Sequence, residues 1–153
     1  MRVLVACEFS GIVRDAFLAK GHDALSCDLE PTENPGPHYQ GDVRDILNDE
    51  WDLMIAHPPC TFLTNAANRW LYETCATSTP AERREEREKA IEFFLTLKNA
   101  PIAKIAIENP QPHPYVIKRV GPYQDKIDPG YFDIAEQKGI CLWLKGPPPF
   151  LVH

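Results

Sequence analysis

Residues 51–55, Trp-Asp-Leu-Met-Ile, form an apolar run that leads directly into Ala56-His57-Pro58-Pro59-Cys60-Thr61. Two consecutive prolines at that point constrain the chain more than any other feature. Proline has no N–H for a ladder and fixes φ, so a buried strand must end here and leave the sheet as a stiff, extended loop. Cys60 is thereby held out at a strand's carboxyl end, where open α/β sheets place their ligands. A thiol on such an arm is positioned like a reagent. The same stretch also suits a strand stop followed by a cysteine packed as a small hydrophobe.

The rest of the chain reads as strands alternating with helices. Residues 2–7 are apolar without alternation, as in a strand buried on both faces of a parallel sheet. Glu8-Phe9-Ser10-Gly11 is a turn; Ile12, Val13, Ala16 and Phe17 follow at helical spacing until Gly21 closes the helix. A strand at 22–27 runs up to Asp28 and completes a βαβ unit. The prolines and glycine of 30–41 predict a loop, Gly41-Asp42-Val43-Arg44-Asp45 a short helix or turn, and 52–56 the strand that leads to Cys60. Residues 61–78 are mixed, with a short helix suggested by Trp70 and Leu71. Thr79-Pro80-Ala81-Glu82 is a capping box with proline at the first helical position, which predicts a long helix from Pro80 to about Asn99. A buried strand over 102–107 ends at Glu108-Asn109-Pro110, 111–130 reads as loop, and 140–144 is a last strand before Pro147-Pro148-Pro149. The expected fold is a single α/β, Rossmann-like domain over residues 1–153 with a mostly parallel sheet and its site at the strand carboxyl ends.

Composition narrows what that thiol belongs to. Five cysteines, none in a C-x-x-C pair, point away from a disulfide framework and from zinc, and toward a reducing compartment. The N-terminal apolar run is too short for a signal peptide or a membrane span, so a cytoplasmic protein without membrane contact is expected. A net charge of −6 argues against a stand-alone duplex-DNA binder, because phosphate contacts need clustered Lys and Arg. Arg83, Arg84 and Arg87 are interleaved with Glu82, Glu85, Glu86 and Glu88, the pattern of a solvated helix face with i,i+4 pairs.

Three strand ends carry polar groups. A glycine turn at Phe9-Ser10-Gly11 before a helix lets a ligand approach backbone N–H groups. Asp28, about twenty residues after that turn's start, suits ribose hydroxyls. Pro58-Pro59-Cys60 and Glu108-Asn109-Pro110 lie side by side if their strands are sheet neighbours. With Gly41-Asp42 added, these pieces stand in the order of the cytosine-C5 methyltransferase family, which residues 1–110 resemble.

That resemblance implies S-adenosylmethionine as cofactor, with Phe9, Ser10, Gly11 and Pro58 around it, Asp28 at its ribose and Asp42 near its adenine amine. It also implies Cys60 as the nucleophile that adds to C6 of a pyrimidine, Glu108 as the residue that holds N3 and the exocyclic amine of cytosine, and Asn109 as the residue ordering the two loops. The chain departs from the family in several places. Ala56-His57 replaces Gly-Gly, Thr61 replaces Gln, Pro110 replaces Val, and Gln137-Lys138 is at best a remnant of the Gln-x-Arg-x-Arg element. His57 suits either proton transfer or packing. The large target-recognition domain has no counterpart, so DNA, an RNA or a free nucleotide each fits as substrate, with a second copy or a partner subunit supplying target recognition. A catalytically silent binding module is the reading from another class.

Overall fold

A computed structural model of the chain describes residues 1–64, 79–127 and 139–146. The short helix expected around Trp70 and Leu71, together with Arg69, Cys75, Gln137, Lys138 and the terminal prolines, lies outside the described residues.

Strands β1 (Arg2–Ala6), β2 (Asp23–Asp28), β3 (His38–Gln40), β4 (Leu53–Ala56), β5 (Lys104–Pro110), β6 (Asp125–Ile127) and β7 (Ile140–Lys145) form one sheet in the order β3-β2-β1-β4-β5-β7-β6. The first five in that order run parallel, while β7 pairs antiparallel with both β5 and β6. From β1 the chain winds outward through β2 and β3, then returns to β4 on the other side of β1. The strand order thus reverses between β1 and β4, and a crevice opens beyond their carboxyl ends. The α/β, Rossmann-like, mostly parallel sheet read from the sequence is present.

Both faces of the central strands are buried, which is why their sequences run apolar without alternation. Helix α1 (Ile12–Ala19) lays Val13, Phe17 and Leu18 on Val3, Val5, Leu53 and Ile55. On the opposite face, α2 (Pro80–Lys98) and α3 (Pro114–Val120) bring Ile91, Phe94, Leu97, Val116 and Val120 onto Leu4, Met54 and Ile107. The capping box at the start of α2 closes as the sequence implies: Thr79 Oγ1 accepts from Glu82 N–H at 3.2 Å, and Glu82 Oε2 accepts from Thr79 N–H at 2.8 Å.

Several expectations need correction. The loop expected at 30–41 contains β3, a short edge strand pinned to β2 in parallel register, Ser26 opposite His38. The loop expected at 111–130 contains α3, capped by the His113 side chain and started by Pro114, and β6. β5 does not stop at residue 107; it continues through Pro110 because β7 pairs with Glu108, Asn109 and Pro110 beyond the end of β4. The Arg/Glu stretch of α2 is not simply a solvated face. Arg83 is buried, the Arg87 guanidinium stacks 4.2 Å from the Tyr115 ring, and Glu88 accepts from the Tyr115 hydroxyl at 2.7 Å and from Arg119 at 2.6 Å, so this part of α2 docks on α3.

Arg14 is the largest polar surprise. Its side chain is fully buried, donating to Ser26 Oγ (2.9 Å), Thr32 Oγ1 (3.1 Å) and the Asn34 carbonyl (2.8 Å), with Asp15 as its charge partner at 2.9 Å. Residues 29–37 therefore fold around a guanidinium. Gly11 and Gly36 close over it from two sides, where a Cβ would meet Arg14 Nη2 at 2.5 and 2.7 Å. Gly11 also adopts φ +81°, a conformation that glycine reaches without steric cost.

Candidate active site

The crevice at the strand order's reversal is a cleft of about 470 Å³, within the usual range for small-molecule sites. Its floor comes from the ends of β1 and β2 with Cys7, Cys27 and Asp28; one wall comes from Gly41 to Arg44; the other comes from Pro59 and Phe62 after β4 and from Phe93 of α2. Of the residues expected at a cofactor, Asp28 and Asp42 line this cleft, whereas Phe9, Ser10, Gly11 and Pro58 are not among its lining residues. Leu29, Val43, Arg44, Phe62 and Phe93 do line it, and the sequence reading did not single them out.

The N-terminus of α1 is not open to a ligand in the way the glycine turn suggested. Glu8, 6% exposed, turns back under the helix and accepts from Val13 N–H at 2.7 Å and from Arg14 N–H at 3.2 Å. Ser10 Oγ donates to the same carboxylate at 3.1 Å. A carboxylate thus already sits where a phosphate would bind, and it complements the positive end of the helix. The spacing of an acidic residue five before the first free amides was the available signal.

Asp28 Oδ1 accepts from Glu30 N–H at 2.9 Å; among the described residues nothing donates to Oδ2. Asp42 is differently placed. It caps the short 3-10 turn Val43–Asp45 and takes a forked contact from the Arg44 guanidinium at 2.8 to 3.1 Å. Those bonds hold its carboxyl below the usual carboxylate range. Arg44 in turn stacks 5.4 Å from the Phe93 ring, so an apolar slot is closed by an ion pair.

The two strand ends expected to meet do so. β4 and β5 are parallel neighbours with Ala56 opposite Ile107. Three ties hold their continuations together: Asn109 Nδ2 donates to the Pro58 carbonyl at 2.8 Å, His113 N–H donates to the Leu63 carbonyl at 2.8 Å, and Thr64 bridges Pro112. His57 Nδ1 lies 3.0 Å from Glu108 Oε2. Pro59 lines the cleft, whereas Cys60, half-buried on a loop closed by the Leu63 N–H to Cys60 carbonyl bond at 3.0 Å, and Glu108 are not among its lining residues.

Asn109 is 2% exposed, and Asn109→Ala strands the Pro58 carbonyl without its donor. The expected cost is about 1–3 kcal/mol, a fall in Tm of roughly 2–12 °C, read by thermal unfolding.

Among the described cysteines, Cys7 and Cys27 are pushed up to about 12, first by burial and then by the Asp28 carboxylate, and burial also raises Cys141. These three are poor nucleophiles at neutral pH. No group of metal-binding side chains occurs among the described residues. No helix among them is long and apolar enough to cross a membrane.

No family model and no curated protein matches the chain. Solved structures similar to the chain include methyltransferases and methylases. An Escherichia coli prophage protein described as a DNA modification methyltransferase has 16% identity and a TM-score of 0.49 over 94% of this chain and 46% of its own length. An rRNA methylase from Escherichia coli has 16% identity and a TM-score of 0.48 over 95% of this chain and 57% of its own. A TehB-like SAM-dependent methyltransferase from Corynebacterium glutamicum has 15% identity and a TM-score of 0.49 over 96% of this chain and 80% of its own. The chain spans about half the length of the first two.

Proposed function

We propose that the protein transfers a methyl group from S-adenosylmethionine to C5 of a pyrimidine, cytosine in DNA, through a covalent adduct of Cys60. The observation that supports this reading is the tie between the two neighbouring strand ends, in which Asn109, next to Glu108, holds the Pro58 carbonyl at the start of the Pro58-Pro59-Cys60 arm. Together these residue types form the set that nucleophilic activation of a pyrimidine requires, in the order of the family the sequence resembles.

The cleft suits this cofactor on physical grounds. Val43, Phe93 and Leu29 offer apolar surface to a planar base, and Asp28 has an oxygen that takes no donor among the described residues and so suits ribose hydroxyls. Glu8 occupies the helix N-terminus that a dinucleotide's pyrophosphate needs, which favours a cofactor without phosphate. When bound, S-adenosylmethionine supplies an electrophilic methyl group. Asp28→Ala is expected to weaken its binding by about 10- to 100-fold, the worth of charge-assisted hydrogen bonds, as measured by calorimetry.

The chain's own residues then do the following. The Cys60 thiolate forms a bond to C6; the C5=C6 pair moves to C4–C5 and the C4=N3 pair moves to N3, which takes a proton from Glu108. C5 becomes nucleophilic: the C4–C5 pair would take up the methyl group of a bound S-adenosylmethionine, whose S–CH3 pair would stay on sulfur in the departing thioether, while the N3 pair restores C4=N3. Loss of the C5 proton to a base returns the electron pair to C5=C6 and expels Cys60 as thiolate, while N3 gives its proton back. The test is covalent trapping with S-adenosylmethionine and an oligonucleotide containing 5-fluorocytosine, because fluorine cannot leave as the proton does. A denaturant-stable adduct on Cys60, lost in Cys60→Ala, is expected; no adduct from a protein that binds the cofactor overturns the assignment. The net charge of −6 favours a second reading, the same chemistry on a free cytosine nucleotide, which an adduct with 5-fluoro-dCMP but with no oligonucleotide would identify.

A further inference from the structure

The family resembled has glycine directly before Pro-Pro, and this chain has His57. Ala56 pairs with Ile107 across parallel strands, so the next residues, His57 and Glu108, stand side by side. Their side chains meet, Nδ1 to Oε2 at 3.0 Å, and each is about one-third exposed, 31% and 30%. Against a carboxyl oxygen that ring nitrogen is the donor. The other nitrogen, Nε2, is enclosed and has no hydrogen-bond partner among the described residues. An N–H there would be a buried donor without an acceptor. The tautomer with its proton on Nδ1 avoids that cost and aims the proton at Glu108.

One oxygen of Glu108 is therefore held by the protein, while the described residues give Oε1 no partner. A glutamate tethered at one oxygen presents the other in a fixed direction, whereas an untethered one samples several rotamers. We infer that His57 is a positioning residue for Glu108, donating from Nδ1 to Oε2 so that Oε1 faces N3 of the target base. This rests on the methyl-transfer reading above and adds to it a group that acts through Glu108 without touching the reacting atoms. When N3 takes its proton from Oε1, negative charge develops on Glu108. The Nδ1–H is already in place to stabilise it, so no reorganisation is required.

The inference separates from a merely structural role by a double-mutant cycle. The readout is release of tritium from C5 of cytosine in an oligonucleotide without cofactor, which reports Cys60 addition followed by protonation and deprotonation at C5, with no methyl transfer. His57→Ala is expected to slow release by about 10- to 100-fold while leaving the cofactor's Kd unchanged. His57→Asn, which offers an amide N–H near the place of Nδ1, is expected to recover most of the loss. In the Glu108→Gln background, His57→Ala should change the residual rate less than about two-fold, because the carboxylate through which it acts is gone.

Equal losses in both backgrounds, or His57→Asn as slow as His57→Ala, overturn the inference and leave Cys60 chemistry standing. Absence of both exchange and trapped adduct in the wild-type protein overturns the methyl-transfer reading and this inference with it.

Discussion

Replacing Arg14 by methionine is expected to destabilise the protein by about 3–5 kcal/mol and to lower Tm by roughly 6–20 °C. The guanidinium is fully buried, and its donors serve Ser26, Thr32 and the Asn34 carbonyl, with the Pro37 carbonyl at 3.5 Å. Methionine fills a similar volume but donates to none of these groups, so each loses its guanidinium donor in a space that Gly11 and Gly36 keep tight, although Thr32 Oγ1, at 2.7 Å, still donates to the Asn34 carbonyl. Arg14→Lys should recover only part of the loss, since an ammonium is a single point of donation where a planar fork is required. The effect should reach the cleft. The same loop is hung from the Phe9 and Ser10 carbonyls by Glu33 and Asn34 N–H at 2.8 and 3.3 Å, and it begins at Asp28 and Leu29, both in the cleft lining. Thermal unfolding with and without S-adenosylmethionine measures both consequences: a lower Tm and a smaller ligand-induced rise. An Arg14→Met protein within about 1 kcal/mol of wild type would show that residues 29–37 hold their shape without the guanidinium.

Arg14 also illustrates what a linear reading misses. A single arginine among Val13, Asp15, Ala16 and Phe17 fits the outward face of an amphipathic helix, and nothing local says that residues 26 to 37 will wrap around it. Arg83 escaped for the same reason, since alternating Arg and Glu read as solvated until α3 is placed against them. What was legible rested on backbone chemistry that no tertiary contact overrides. Pro58-Pro59 ends β4, Thr79-Pro80-Ala81-Glu82 starts α2, and within the apolar runs residues 3–6, 53–56 and 105–107 are buried on both faces. Proline was misleading where it served as a helix start. Pro112 and Pro114 suggested continuous loop, yet Pro114 sits at the first position of α3, where its missing N–H costs nothing. The site was legible in part because the carboxyl ends of neighbouring strands bring together what sequence order separates. The His57 to Glu108 contact was not, because it depends on register, and register becomes visible only once Ala56 faces Ile107.

On the proposed mechanism, Cys60→Ala is expected to give the largest functional loss, about 10⁴-fold or more in kcat, since it removes the atom assigned the bond to C6. No other thiol among the described residues is equipped to replace it. At pH 7 a thiol raised to about 12 is ionised in only about one molecule in 10⁵. Cys7 and Cys27 are therefore part of the cleft floor and not reagents in it. Cys60 differs in place: it follows two prolines and lies, half-buried, on the arm that Asn109 ties to β5. Its removal should leave the fold intact, with Tm within about 2 °C of wild type, because little packing is lost at a partly exposed site. Cys27→Ala provides the contrast, with a measurable fall in stability from the core but an adduct that still forms. Peptide mapping of the 5-fluorocytosine adduct after denaturation decides the matter. A modified peptide containing Cys60 in wild type and none in Cys60→Ala supports the mechanism. An adduct that persists in Cys60→Ala would move the nucleophile elsewhere and remove the reason for the Pro58-Pro59-Cys60 arm to stand beside Glu108.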